Sequence, residues 1–261
     1  MNKVNIKSYA GTAEKSPYDE LARHNREYQR LLKAYPEIIR EYAHDAKKVA
    51  DIACGTGNFT LAIYEALRGN EGLRIHASDI SKDMINIFNQ KIRKRNLEDI
   101  IITSVKDATD PTSYESEFFD LINITHALNY TGVPEKVMRN IYSWLKPGGV
   151  MVAVDIGREL IVSNWSKAVF RWGYEDMAKS GYGILAIFPT LAHFIKYRAA
   201  KKENENFHKG QLSGTYPMHT SEEFKKWVEN AGFEILYFSS DFYRDPATGK
   251  GIDDFVVARK K

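Results

Sequence analysis

Three carboxylates and two glycines carry the chemistry that this sequence offers first. Asp51 opens the run Asp51-Ile-Ala53-Cys-Gly55-Thr-Gly57-Asn58, which follows a short apolar stretch and leads into an amphipathic one. Glycines at 55 and 57 permit a tight turn and let a ligand lie against bare backbone. A G-x-G pair alone is a weak signal, and a dinucleotide-binding turn would place a third small residue where Thr60 stands. The acid four positions before Gly55 decides the sign of the ligand, because it would oppose a pyrophosphate and suit a cation. Asp79, 22 residues after Gly57, stands where a ribose diol would donate to a carboxylate. Asp107, in Lys106-Asp107-Ala108, stands where an adenine amino group would donate. Each acid also has a local alternative: Asp79 as the cap of a helix beginning near Ser81, Asp107 as the cap of a turn before Pro111.

Such residues act together only if a scaffold brings strand ends to one edge, and the apolar patterning predicts that scaffold. Lys48 to Cys54, Leu73 to Asp79, Ile100 to Val105, Phe119 to Thr125 and Val150 to Ile156 read as strands buried on both faces. Helical patterns lie between them at about Gly57 to Arg68, Lys82 to Arg95 and Pro134 to Leu145, which gives an α/β, doubly wound, mostly parallel sheet. An N-terminal helical segment within residues 1–46 is predicted to start at Ser16-Pro17-Tyr18-Asp19 and to run toward Tyr42. The alternation breaks over residues 157–219, an aromatic-rich stretch read as a helical lid, and resumes with a capped helix from Thr220 and strands Phe233 to Ser239 and Asp254 to Arg259. The whole is predicted to be a single domain, residues 1–261.

The segments VADIACGTGNFT, HASDIS, VKDATD, FFDLINITHALNY, LKPGGVMVAVD and HTSEEFKKWVENAGF together resemble the class I S-adenosylmethionine-dependent methyltransferases. The resemblance covers about Val49 to Ile156 and Thr220 to Arg259. It implies a Rossmann-like seven-stranded sheet in the order 3-2-1-4-5-7-6 with the last strand antiparallel, and S-adenosyl-L-methionine as cofactor. On that resemblance Asp51, Ala53, Gly55, Gly57 and Asn58 would face the methionine part and Asp79 the ribose. Ile80 and Met84 would flank the adenine, Asp107 and Ala108 would touch its edge, and Asn123 and Thr125 would line the methyl side.

The acceptor side is marked by His126 and Tyr130, just past the fourth strand, as candidate catalytic residues, with Tyr18, His193 and Tyr216 as further substrate contacts. A histidine titrates near neutrality and would deprotonate an acceptor or hydrogen-bond it, and is equally well placed as a structural residue. No Asn/Asp-Pro-Pro-Tyr segment follows the fourth strand, which argues against nucleobase or amide nitrogen as acceptor. The expected reaction is in-line displacement onto an O or N of a small molecule; alternatives are a peptide or RNA acceptor, a nicotinamide-dependent reductase and a non-catalytic cofactor-binding module. A net charge of +3 over 261 residues argues against nucleic acid and an anionic membrane as partners. Cys54 is the only cysteine and no metal-ligand spacing stands out, so neither a disulfide framework nor a metal is expected, and a reducing, cytoplasmic location is. The basic cluster Lys91 to Arg95 is expected to be a solvated helix end.

Overall fold

Apolar runs without a polar face become strands only where both faces are covered, and that condition sets the architecture. In the computed structural model, which describes residues 16–157, 162–196, 209–210, 213 and 219–261, seven strands form one sheet. They are β1 (Lys48–Ile52), β2 (Arg74–Asp79), β3 (Ile101–Val105), β4 (Phe119–Thr125), β5 (Leu145–Ile156), β6 (Phe233–Ser239) and β7 (Asp253–Lys260). Their order is β3-β2-β1-β4-β5-β7-β6, parallel except that β7 runs antiparallel to both β5 and β6, as expected. β5 starts earlier than the sequence predicts, because Leu145 pairs with Phe119 before the Lys146-Pro147-Gly148-Gly149 turn shifts the register to Leu121 and Val150.

Two apolar cores result. One face of the sheet packs Leu31, Tyr35 and Ile39 of α2 (Arg26–Ala43), Phe59 and Ile63 of α3 (Asn58–Leu67) and Phe88 of α4 (Lys82–Arg93) against Val49, Ile75 and Val152. A four-residue turn of helix, α5 (Leu128–Thr131), leads from β4 toward the other face. There, Met138, Ile141 and Trp144 of α6 (Pro134–Trp144) pack against Ile52, Ile122 and Ala153. The long N-terminal helix is interrupted: α1 (Pro17–His24) ends before Asn25, whose side chain accepts from the Tyr28 amide at 3.1 Å and starts α2 afresh.

The interruption between β5 and the last strand pair contributes α7 (Val162–Met177), a π turn over Ala178–Tyr182, a 3₁₀ turn over Gly183–Ala186 and α8 (Ile187–Lys196). Trp165, Ala168 and Trp172 of α7 join the first core, and α7 also packs on α1. After it, α9 (Ser221–Asn230) opens with the predicted capping box, Glu223 N–H to Thr220 Oγ1 at 3.2 Å and Thr220 N–H to Glu223 at 2.8 Å.

Buried acids collect where β5 and β7 pair. Asp155 accepts from the Asn129 amide at 2.9 Å, and Asp253 accepts from the Tyr243 amide at 2.8 Å while its second oxygen is enclosed without a partner. Asp254 accepts from Ser221 at 2.6 Å and lies 3.2 Å from Nε2 of the fully buried His219. Burial pushes the carboxyls of Asp155 and Asp253 up to about 6 and about 7.

Candidate active site at the carboxyl ends of β1, β2 and β4

Strands β1 and β2 each carry a buried carboxylate at their carboxyl end, Asp51 as the next-to-last residue of β1 and Asp79 as the last of β2, and the turn after β1 folds around Asp79. The turn is left-handed at Ala53 (φ +56°), Gly55 (φ +56°) and Gly57 (φ +82°). At Gly57 a side chain is excluded twice, by that backbone angle and by Phe88, whose Cε2 would lie 2.0 Å from an added Cβ. At Gly55 an added Cβ would meet nothing within 4 Å, so this glycine leaves its open space on the outer side of the turn. Asp79 ties the turn to β2: its Oδ2 accepts from the Gly55 amide at 2.9 Å and its Oδ1 from the Ser81 amide at 2.8 Å. The cap of α4 is Ser81, which accepts from Met84 N–H at 3.3 Å, so Asp79 is not spent on the helix. Ile80 beside it is 47% exposed, an apolar surface at a polar strand end, whereas Met84 is buried.

Asp51 sits deeper. Thr60 donates to its Oδ2, and Asn123 Nδ2 donates to its Oδ1 at 2.6 Å across the β1–β4 register. That accounts for Thr60, the residue that spoils a dinucleotide fingerprint: its hydroxyl serves the acid. The network continues through the Tyr35 hydroxyl, bonded to Asn123 Oδ1 and to Thr125 Oγ1, the latter at 2.8 Å. Burial pushes the Asp51 carboxyl up to about 6 against the pull of these donors, and it raises Asp79 as well. Among the described residues no Lys, Arg or His makes an ion pair with either acid. Two neighbouring carboxylates that burial disfavours, beside bare backbone, make a site that gains from a cation.

Asn58, with Thr56 of the turn, is tied to the N-terminal helices. Its Nδ2 donates to Asp19 Oδ1 at 3.1 Å and to the Tyr28 hydroxyl at 3.2 Å, and Lys91 donates to its Oδ1 at 3.1 Å. Asp19 of α1 also accepts from Thr56 at 2.7 Å and pairs with Lys91 at 2.8 Å. Lys91 is therefore a half-buried fastener of α1, not part of a solvated helix end, while Arg93 to Arg95 are exposed as expected. Asp107 is exposed and closes a turn by accepting from the Thr109 amide and hydroxyl, both at 2.8 Å. The Ala108 carbonyl accepts from Asn140 at 2.9 Å.

His126 follows β4 with φ +53°, an angle rare for a side-chain-bearing residue, held by its amide donating to Val154 at 2.7 Å. Its Nε2 is enclosed and has no hydrogen-bond partner. The ring stands edge-on to Tyr243 at 5.3 Å and to Phe59 at 6.4 Å, and Trp165 stacks on Tyr243 at 4.7 Å. Burial lowers its pKa to about 4, so the imidazole is neutral at pH 7. Tyr28 and Tyr18 extend the aromatic wall, Tyr28 at 5.4 Å from Phe59 and Tyr18 at 6.2 Å from Tyr28, and burial pushes the Tyr18 hydroxyl up to about 12.

The structure thus brings Asp51, Ala53, Gly55, Gly57, Asp79, Asn123, Thr125, His126 and Tyr18 to one edge of the sheet. Tyr130 is exposed on α5, His193 falls within α8, and Tyr216 lies outside the described residues. Sequence reading missed Asp19 as a fastener, Tyr35, Phe59, Tyr243 and Trp165 as members. Tyr35 had a signal, since it continues the Tyr28-Leu31-Tyr35 stripe of α2; Tyr243, more than a hundred residues from His126, had none.

The family of methyltransferase domains matches residues 43–232. Among similar proteins, the ubiquinone/menaquinone biosynthesis C-methyltransferase UbiE of Yersinia enterocolitica is 24% identical over 195 residues, 74% of this chain and 69% of that one. YqeM of Bacillus subtilis, named as a methyltransferase with no acceptor specified, is 23% identical over 260 residues, 97% of each chain. Among solved structures, a geranyl diphosphate C-methyltransferase from Streptomyces coelicolor, in complex with S-adenosyl-L-homocysteine, shares the fold with a TM-score of 0.58 at 12% identity, over 97% of this chain and 88% of that one.

Proposed function

The chain belongs to the methyltransferase-domain family, as a class I S-adenosylmethionine-dependent enzyme, and from that premise we propose that it methylates an oxygen or nitrogen of a small aromatic molecule seated against His126. The observation that carries the reading is the pairing of two unneutralised buried acids with an imidazole whose Nε2 has no partner inside an aromatic box.

The residues present fit the cofactor. Asp79, already oriented by two amides, has lone pairs left for a ribose diol, and Ile80 offers an apolar plane beside it. The turn through Gly55 and the acid at Asp51 suit the ammonium end, and Tyr35 fixes Asn123 and Thr125 at the methyl side. When bound, S-adenosylmethionine supplies a methyl group made electrophilic by the sulfonium. The chain's part is positioning: a ring packed between Tyr243 and Phe59 would hold its acceptor atom in line, and exclusion of water by Trp165 strengthens each polar contact.

His126 then handles the acceptor's proton. A hydroxyl placed against Nε2 would give up its proton to the imidazole as the new bond to carbon forms, and burial, which makes the imidazolium unfavourable, would pass that proton on to solvent when the product leaves. The same geometry serves a second reading, favoured by the name of UbiE: a phenolate or enolate is nucleophilic at the carbon beside its oxygen as well as at oxygen, so one base supports C-methylation too. In either reading the described part of the insertion, residues 162–196, would close the acceptor side as a lid, with Trp165 against Tyr243.

The test is incubation with S-adenosylmethionine carrying a ¹³C-methyl group and a small-molecule extract of the host, followed by mass spectrometry and carbon NMR of the labelled product. A labelled methoxy or N-methyl carbon supports the first reading and a labelled ring methyl the second. A labelled peptide or RNA, or a protein that binds the cofactor and labels nothing, overturns both. His126→Asn should lower turnover by about 10²- to 10⁴-fold with cofactor affinity unchanged; full activity would leave His126 a structural residue.

A further inference from the structure

The helical insertion is amphipathic in the wrong sense for a helix that ends at water. From the 3₁₀ turn at Gly183 into α8, the side facing the protein carries small residues: Ala186 and Thr190 are buried, and Thr190 Oγ1 turns back to donate to the Ala186 carbonyl at 2.7 Å. That face lies close on α7, where an added Cβ at Gly173 would touch Thr190 Cγ2 at 3.8 Å. The large side chains point outward. Ile184 is 83% exposed, Phe188 67% and Leu185 61%, with Tyr182 and Leu191 also exposed. Positions 184, 188 and 191 follow a helical repeat, so these residues form a stripe rather than scattered contacts. Single exposed apolar residues are ordinary; a contiguous row of this size marks a surface that is covered in use.

The charge around the stripe identifies what covers it. The interruption, residues 157–219, carries nine basic and five acidic residues, a net +4 beside the +3 of the entire chain, and its described part, residues 162–196, carries four basic and two acidic residues. Both acids, Glu175 and Asp176, are engaged by Arg26 and His24 of the N-terminal helices. Lys167, Arg171 and Lys179 are exposed on the segment leading to the stripe, and Lys196, Arg198, Lys201 and Lys202 follow it in sequence before Glu203 and Glu205. A second copy of the chain would press two basic rims together, since an isologous contact sets a patch against itself. An apolar stripe bordered by cations matches the interface of an anionic bilayer, where rings and aliphatic side chains enter the acyl region and Lys and Arg remain among the headgroups.

We propose that Tyr182, Ile184, Leu185, Phe188 and Leu191 dock this protein on an anionic lipid surface, with the exposed Lys167, Arg171 and Lys179 facing the headgroups. This departs from the expectation drawn from net charge, which averages away a local excess. No helix of the described residues is long and apolar enough to cross a membrane, and the attachment proposed is peripheral. It also gives the insertion a second face of consequence: Trp165, on α7, stacks on the Tyr243 ring beside His126, so the docked element and the site are one body. The docking itself does not depend on which molecule is methylated.

The experiment is flotation of the full chain with vesicles of phosphatidylcholine containing phosphatidylglycerol, and with phosphatidylcholine vesicles alone. The wild type should float with the anionic vesicles and bind the neutral ones at least tenfold more weakly, given about fivefold per basic residue engaged. Ile184→Asn combined with Phe188→Asn replaces two exposed residues and should leave the melting temperature unchanged while lowering vesicle binding by more than tenfold. The proposal fails if the folded wild type stays unbound with anionic vesicles, or if the double variant binds as the wild type does. It fails equally if sedimentation equilibrium shows a wild-type dimer that the double variant dissolves and that does not float, which would assign the stripe to a second copy.

Discussion

Replacing Gly57 and Gly55 by alanine in turn separates the support of the turn from its use. Gly57 has φ +82°, and an added Cβ would lie 2.0 to 2.3 Å from three ring carbons of Phe88, a side chain with no exposed surface. The left-handed angle costs about 1–2 kcal/mol for alanine, and forcing a buried ring aside adds about 1–3 kcal/mol. Gly57→Ala is therefore expected to lose about 2–5 kcal/mol of folding stability. Gly55→Ala carries the angular strain alone, about 1–2 kcal/mol, because nothing stands within 4 Å of its Cβ. If S-adenosylmethionine occupies the open space beside Gly55, as proposed, the effect falls on the ligand, and affinity should drop at least about tenfold, a loss of about 1.4 kcal/mol. Urea unfolding measures the first quantity and calorimetric titration with the cofactor the second. A double-mutant cycle of Gly57→Ala with Phe88→Ala should show a favourable coupling of about 1–3 kcal/mol, since the ring that clashes is gone. Equal stability losses at 55 and 57, or a coupling of zero, would refute the account of the turn.

Asp79→Asn keeps one accepting oxygen for the Gly55 and Ser81 amides and turns an NH₂ toward the other, so cofactor affinity should weaken by about 1–3 kcal/mol in calorimetry. Tyr35→Phe strips the hydroxyl shared by Asn123 and Thr125 in a fully buried place and should cost about 1–3 kcal/mol in urea unfolding. Folding stability should rise, by about 2 kcal/mol, as pH falls from about 7.5 to about 5.5. The sign follows from Asp51, Asp155 and Asp253, raised to about 6, 6 and 7, which bind protons in the folded chain before the unfolded one does. His126, lowered to about 4, opposes them over the same window, because the unfolded chain protonates first. Denaturant titrations across that range check it, and Asp253→Asn should flatten the slope.

The fold was legible because its information is local and repeated. Each β-to-α passage announces itself by an apolar run, a turn residue and a cap, and strand β4 fell on Phe119 to Thr125 as read. The places of Asp51 and Asp79 were legible because an apolar run leads into each, the first before the glycine turn and the second 22 residues after Gly57. What the sequence withheld depends on distance or on direction. Lys91 belongs to a basic run whose natural partner is water, and only the return of α1 across the turn supplies Asp19. Asn25 stops one helix and starts another by a single side-chain bond, which a helical pattern running through it hides. The box around His126 joins residues from α3, β4's end, α7 and the segment before β7. The aromatic-rich insertion read as a helical lid without showing which side each helix would bury: α7 turns Trp165 and Trp172 inward, whereas the stretch into α8 buries Ala186 and Thr190 and leaves Phe188 outside.

The eight residues of α1 are too few to persist as a helix by themselves. They stay in place because Asp19 grips the turn through Thr56, Asn58 and Lys91, and because His24 reaches Asp176 of α7 at 3.1 Å. One short segment is thus fastened both to the glycine loop and to the element that carries Trp165. Were it to fray, both attachments would be lost together, so donor exchange and product escape would keep a common clock rather than separate ones.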